Sequence, residues 1–101
     1  MNIFPLSRYT IHGDSMIPFL KEGEDVICFN WAYSFTEVKV GDVVVANIKG
    51  LKIVKRVLEV DGRRIFLKGD HEIMSTDSRN FGWLDKRQIL GKAILYIRNK
   101  R

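Results

Sequence analysis

Two residues of this 101-residue chain, Ser15 and Lys55, have the side-chain types and surroundings that nucleophilic catalysis requires. Ser15 lies between Gly13 and Pro18. Glycine permits backbone angles that other residues resist, and proline fixes φ, so the sequence predicts a short rigid turn that presents Ser15 at a surface. A serine hydroxyl attacks a carbonyl when a base removes its proton, so Ser15 requires a base from elsewhere in the chain.

Lys55 lies in an apolar run, residues 51–58 (LKIVKRVL), whose β-branched residues predict a strand. Alternate side chains of a strand share a face, so Lys55 is expected in an apolar row. The other members of that row are Leu51, Ile53 and Val57. Lost hydration lowers the pKa of a lysine, as a general base near neutral pH requires. A second interpretation of these residues involves no catalysis. Ser15 would then lie in an ordinary turn, and Lys55 would extend to water from the edge of its strand.

Four short blocks resemble, in the same order, the catalytic core of type I signal peptidases and the related LexA-type peptidases. They are residues 15–20 (SMIPFL), 41–44 (GDVV), 55–57 (KRV) and 69–82 (GDHEIMSTDSRNFG). The resemblance extends from about residue 9 to the C-terminus. Any one block is a weak signal, whereas four ordered and closely spaced blocks are a strong one.

This resemblance implies a LexA/signal-peptidase-like fold, mostly β, of coiled antiparallel sheets with very little helix. It implies a serine endopeptidase with a Ser-Lys dyad that cleaves a precursor protein or leader peptide through an acyl-enzyme. The catalytic roles fall on Ser15 and Lys55, and the backbone N–H groups of Asp14 and Ser15 are the expected oxyanion donors. The residues expected to support the site are Gly13, Met16, Pro18, Ser75, Asp77 and Arg79.

The domain organisation is expected to be simple, with residues 1–8 as an N-terminal extension and residues 9–101 as the catalytic domain. The pairs Lys49-Gly50 and Asp61-Gly62 predict tight turns, which place Lys55 in the central strand of an antiparallel meander. Residues 31–40 are interpreted as a connection, and residues 85–88 as one helical turn. The predicted strands are residues 9–12, 25–30, 43–48, 51–60, 64–68 and 90–98.

Composition limits the partners of the protein. The net charge is +5, but lysine and arginine are spread along the chain, so no specific nucleic acid is expected. A single cysteine, Cys28, excludes an intrachain disulfide, and two isolated histidines lack a third ligand, so neither metal nor cofactor is expected. Because no apolar run approaches the roughly 18 residues of a membrane span, we expect a cytoplasmic or peripherally membrane-associated protein. A membrane or membrane-protein partner and the oligomeric state are left open.

Two other functions fit parts of the sequence. A self-cleaving repressor-type peptidase shares the dyad, but its Ala-Gly or Cys-Gly cleavage site occurs nowhere in this chain. A non-catalytic β-fold binding module would not require Ser15, Lys55 and the loop at residues 75–79 together. The endopeptidase is therefore the preferred interpretation.

Overall fold

The computed structural model describes residues 3–13, 15–70 and 82–98, and these residues form a mostly β structure with seven strands. Two short helical segments accompany the strands: α1 (Ala32–Phe35) and a 3-10 turn (Lys86–Gln88). No helix in the described ranges has the length and apolar character of a membrane span. The strands are β1 (Leu6–Thr10), β2 (Asp25–Phe29), β3 (Val43–Ile48), β4 (Leu51–Asp61), β5 (Arg64–Lys68), β6 (Leu84–Asp85) and β7 (Ile89–Ile97).

All seven strands belong to one antiparallel sheet in the order β1-β2-β7-β3-β4-β5-β6. The central meander β3-β4-β5 is as predicted, with β4 between its two neighbours. Its turns require left-handed backbone, which Lys49, Gly50 and Gly62 adopt at φ of 52°, 86° and 59°. The predicted mostly β fold class is confirmed.

The first strand and the connection after β2 differ from the prediction. Strand β1 covers Leu6–Thr10 rather than residues 9–12, because its pairing with β2 begins at Leu6↔Phe29. Residues 6–8, which the prediction assigned to the extension, therefore lie in the sheet. Within the predicted connection, Ala32–Phe35 form a helical turn. Both features depend on contacts with distant residues, which local sequence patterns do not report.

Two apolar clusters lie against the sheet. One lies around β3, β4 and β5 and includes Val44, Val57 and Leu67. The other lies beneath the segment that carries Ser15, and Met16 and Leu20 are its fully buried members from that segment. The segment is therefore held on the sheet by its own side chains.

Strand β7 joins the two halves of the sheet where it passes close to β2. A Cβ atom on Gly91 would lie 2.5 Å from the Phe29 carbonyl oxygen and 2.6 Å from Cys28 Sγ. Only glycine fits this crossing without a shift of the backbone. The Cys28 thiol beside it is buried, as predicted, and burial raises its pKa to about 11.

Candidate active site

Ser15 lies in a loop of residues 11–23, called here the serine loop, that connects β1 to β2. Backbone hydrogen bonds close its base, from Ile11 N to the Glu24 oxygen at 2.8 Å and from Gly23 N to the Ile11 oxygen at 2.9 Å. Gly13 adopts φ of +83°, as the predicted turn requires. Ser15 is half-buried between this turn and the fully buried Met16. The serine is thus presented from a loop that is anchored at both ends.

Glu24, which directly follows the serine loop, stabilises it, and this role was not predicted from the sequence. The residue is 8% exposed, and Oε1 accepts a hydrogen bond from Lys21 N at 2.8 Å. Arg98 Nη1 contacts the same oxygen at 3.4 Å. A buried carboxylate needs such partners, because an unpaired one is costly. Its only signal in the sequence was the extra acidic residue between Gly23 and Asp25.

Lys55 is one of two charged residues buried in the described part of the chain, with 5% of its surface exposed. It lies opposite Val44 in the β3–β4 ladder, and Val57, two residues along β4, is also buried. The predicted apolar row is therefore present around Lys55, but it is shorter than expected. Leu51 is 66% exposed, because β4 extends here beyond the core.

Ser15 and Lys55 line the same cavity, of about 290 Å³, called here the active-site cavity. One wall consists of residues 10–12, 15 and 16, and the other consists of residues 51–55 of β4. The structure therefore brings together the serine and the lysine that the sequence singled out. No group of potential metal ligands occurs among the described residues.

The wall from β4 exposes the edge of the strand as well as one face. Five consecutive residues line the cavity, whereas a single face would contribute only alternate residues. Strand β3 pairs with β4 along Leu51–Arg56, but β5 pairs with β4 only from Arg56 onward. Within the described ranges, no strand pairs with residues 51–55 on the β5 side. Among the described residues, Leu51–Val54 therefore form an edge of the sheet beside the cavity.

Arg56, the neighbour of Lys55, connects β4 to three other segments of the chain. It forms a bidentate pair with Asp70, with both nitrogen–oxygen distances at 2.8 Å, and donates from Nη1 to the Gly41 oxygen at 3.0 Å. Its guanidinium lies 4.9 Å from the centre of the Phe19 ring in the serine loop. The hydrogen bond with Asp70 raises the pKa of Arg56. These contacts hold β4 against the serine loop.

Asp42 plays a similar connecting role on the other side of β4. Its Oδ2 accepts hydrogen bonds from the Tyr33 hydroxyl at 2.7 Å and from Lys39 N at 3.1 Å, and Lys92 Nζ lies 3.5 Å from Oδ1. Burial, together with the Asp42 carboxylate, raises the pKa of Tyr33, so the hydroxyl remains a donor. The block GDVV indicated Asp42 in the sequence, but Tyr33 and Lys92 had no such signal.

Four predicted site residues, Asp14, Ser75, Asp77 and Arg79, lie outside the described residues. Their expected roles stay predictions. The described supporting residues Met16 and Pro18 lie in the serine loop beside Ser15, and the Ile17–Pro18 peptide bond is cis.

A largely antiparallel β chain with a serine loop facing a buried lysine across a cavity has the architecture of a peptidase core. The chain belongs to the Peptidase S24-like family, whose model matches residues 6–94. It is 29% identical over 118 aligned residues to the mitochondrial ATP-independent inner membrane protease subunit 1a of Arabidopsis thaliana, covering 91% of this chain and 70% of that protein. It is 40% identical over 68 residues to signal peptidase IB of Staphylococcus aureus, covering 66% of this chain and 36% of that protein.

Together, the family and these relatives support a serine peptidase of the signal-peptidase type. The chain spans 70% of the length of the first relative and about a third of the second. The catalytic groups, the substrate and the partners of this chain are therefore proposals that rest on its own residues.

Proposed function

We propose that this protein is a serine endopeptidase in which Ser15 is the nucleophile and Lys55 the general base. The observation that carries the proposal is the active-site cavity, which Ser15 and the 5% exposed Lys55 line together. A serine at a surface needs a base within reach, and a lysine acts as a base only when its environment favours the neutral amine.

In the proposed reaction, neutral Lys55 Nζ takes the proton of the Ser15 hydroxyl as Oγ attacks the carbonyl carbon of a peptide bond. The tetrahedral intermediate collapses to an acyl-enzyme ester, and the lysinium gives its proton to the departing amine. Water then attacks the ester as Lys55 accepts a proton from it. The lysinium returns that proton to Ser15 Oγ when the new carboxyl group leaves, which restores both residues. The Ser-Lys pair is an established variant of the serine protease arrangement.

The charge state of Lys55 is the central requirement of this mechanism. Burial disfavours the charged form of a lysine and lowers its pKa. If Lys55 is the base, activity should therefore increase with pH as its amine loses the proton. Cys28 is excluded as an alternative nucleophile by its burial and its raised pKa.

The oxyanion is proposed to be stabilised by the backbone N–H groups of Asp14 and Ser15. Gly13, which directly precedes these two residues, adopts the left-handed backbone of a tight turn. Ser75, Asp77 and Arg79 are proposed to support Lys55 from the segment that follows β5. Neither proposal involves a metal or a cofactor.

The proposed substrate is an extended segment of a precursor protein or leader peptide. It would add to the edge of β4 at residues 51–54, with its main chain between that strand and residues 10–12. Strand addition supplies affinity through main-chain hydrogen bonds, and alternate side chains would enter the active-site cavity. The scissile carbonyl would then lie between Ser15 and Lys55.

We further propose that the protein associates with a membrane peripherally rather than binding nucleic acid. Large apolar side chains are exposed at the N-terminal edge: Ile3 is 80% exposed, Phe4 66% and Leu6 52%. A bulge opposite Ile27 and Cys28 leaves Ile94 without a partner in the β2–β7 ladder, and Ile94 and Leu95 are 50% and 57% exposed. Such side chains together with a net charge of +5 suit an anionic lipid interface.

Acylation of Ser15 tests the enzymatic proposal directly. Purified protein mixed with an activated peptide ester should gain the mass of the acyl group, and peptide mapping should locate it on Ser15. Ser15→Ala should remove both acylation and peptide hydrolysis while the thermal melt is retained, since Ser15 lies outside both apolar clusters. Comparable hydrolysis by Ser15→Ala would refute the assignment, and absent acylation of a folded wild type would favour a non-catalytic binding module.

A further inference from the structure

A second cavity, of about 420 Å³, lies between α1, the turn after β4 and the 3-10 turn. It shares no lining residue with the active-site cavity. Its volume is within the range of roughly 300–1,000 Å³ that small-ligand sites occupy. Six of its lining residues are polar or charged and define what is called here the cationic cavity: Asn30, Tyr33, Ser34, Arg63, Lys86 and Arg87.

A single carboxylate holds the two arginines of the cationic cavity together. Asp85 Oδ2 accepts from Arg63 Nη2 at 3.3 Å and from Arg87 Nε at 3.2 Å. Each guanidinium has five N–H donors, so most of them are not used by Asp85. The Arg63 and Arg87 side chains are 60% and 83% exposed and can turn toward a ligand. With Lys86 beside them, three cations surround the cavity against one anion, which suits a phosphate or another compact anion.

Asn30 holds the N-terminal segment beside the cationic cavity. Its Nδ2 donates to the Phe4 oxygen at 2.9 Å and to Ser7 Oγ at 2.8 Å. Its Oδ1 is buried, so a ligand in the cavity does not reach this atom. Asn30 therefore places the backbone of Phe4 next to the cavity.

Exposed aromatic side chains lie beside the same residues. Phe35, which directly follows the lining residue Ser34, is 74% exposed. Phe4, whose carbonyl Asn30 contacts, is 66% exposed. An anion site next to unburied apolar groups matches a ligand with an anionic head and an apolar remainder.

We propose that the cationic cavity binds the phosphate of an anionic membrane lipid. The phosphate lies against Arg63, Lys86 and Arg87, and Phe4 and Phe35 enter the acyl region. This inference rests on the proposed peripheral membrane association and is independent of the Ser-Lys chemistry.

Sedimentation of the full chain with vesicles tests the proposal. Phosphatidylcholine vesicles are compared with vesicles that also contain phosphatidylglycerol. Binding should be stronger with the vesicles that contain phosphatidylglycerol. Because each basic residue near an anionic surface contributes roughly five-fold in affinity, Arg63→Gln/Arg87→Gln should bind phosphatidylglycerol vesicles roughly 30-fold more weakly.

Two further variants separate the cavity from general charge effects. Arg64→Gln/Lys39→Gln removes the same charge from residues that do not line the cavity, and it should retain most of the binding. Lys86→Gln leaves the contacts of Asp85 in place and should weaken binding by roughly five-fold. Thermal melts of all variants confirm that the comparison concerns folded proteins.

Several results would overturn the inference. Equal losses in the two double variants would mean that the cavity plays no special part. Binding of free glycerol 3-phosphate with the same variant dependence, without sedimentation on vesicles, would refute a lipid source. Equal binding to vesicles of phosphatidylcholine alone would refute the headgroup site, although it would still support membrane association. Acylation of Ser15, measured in the same samples, tests the enzymatic proposal separately.

Discussion

Replacing Lys55 by methionine removes the amine and keeps the length and the apolar stem of the side chain. If Lys55 is the base, the substitution should lower kcat/KM by about 10³-fold, in the middle of the range for general base catalysis. This loss corresponds to roughly 4 kcal/mol of transition-state stabilisation. Because Lys55 is 5% exposed, an apolar replacement should leave the free energy of unfolding within about 1 kcal/mol of the wild type or increase it.

The pH dependence of stability gives an independent measure of the same residue. A lysine with a lowered pKa in the folded state binds fewer protons than in the unfolded state. The free energy of unfolding of the wild type should therefore increase with pH, from the folded pKa up to the model value of about 10.4. Lys55→Met should lack this increase, so the variant's stability relative to the wild type should decline as pH rises.

Single-turnover acylation and urea unfolding, each measured across a pH series, provide the two readouts. The matched control is Lys39→Met, which makes the same substitution at an exposed lysine and should retain acylation. An active Lys55→Met protein would refute Lys55 as the base. Equal inactivation of Lys39→Met would show that the loss does not report on the active-site cavity.

Three other substitutions test contacts around the site. Arg56→Gln removes the bidentate bond to Asp70 and should lower kcat. The free energy of unfolding should fall by only about 1 kcal/mol, because this bond is partly exposed to solvent. Unchanged activity and melting would show that the bond does not contribute to the site. Gly91→Ala should destabilise by about 3 kcal/mol and lower Tm by roughly 15 °C, because its Cβ would overlap the Phe29 carbonyl; a melt like that of the wild type would contradict the close approach. The raised pKa of Cys28 keeps its thiol protonated in the folded protein at a pH where the thiol of the unfolded chain ionises. The free energy of unfolding of the wild type should therefore decline relative to that of Cys28→Ala between about pH 9 and about pH 11, as measured by urea unfolding. Parallel curves for the two proteins would refute burial of the thiol.

Much of the central sheet could be predicted from local patterns. Lys49-Gly50 and Asp61-Gly62 specify tight turns because glycine accepts the left-handed angles that these positions adopt. The β-branched runs between them then have only one compact arrangement, a meander. The position of Lys55 in its middle strand follows from those turns.

The edges of the fold could not be predicted in this way. Strand β1 is recognised only through its ladder with β2, and Ala32–Phe35 is too short to carry a helical period. The contacts of Arg56 were also not predicted from the sequence. Its partners Asp70, Gly41 and Phe19 come from three separate segments, and no spacing in the sequence relates them.

Local sequence patterns predicted the turn that presents Ser15 and the strand that carries Lys55, and they indicated these two residues as candidates for catalysis. These are local properties, since backbone angles and side-chain alternation depend on neighbouring residues. Tertiary structure alone decided that Lys55 is 5% exposed and that Ser15 lines the same cavity. The alternation of side chains along a strand predicts which side of the strand a residue faces. What covers that side depends on segments that are distant in the chain and come together only in the folded protein.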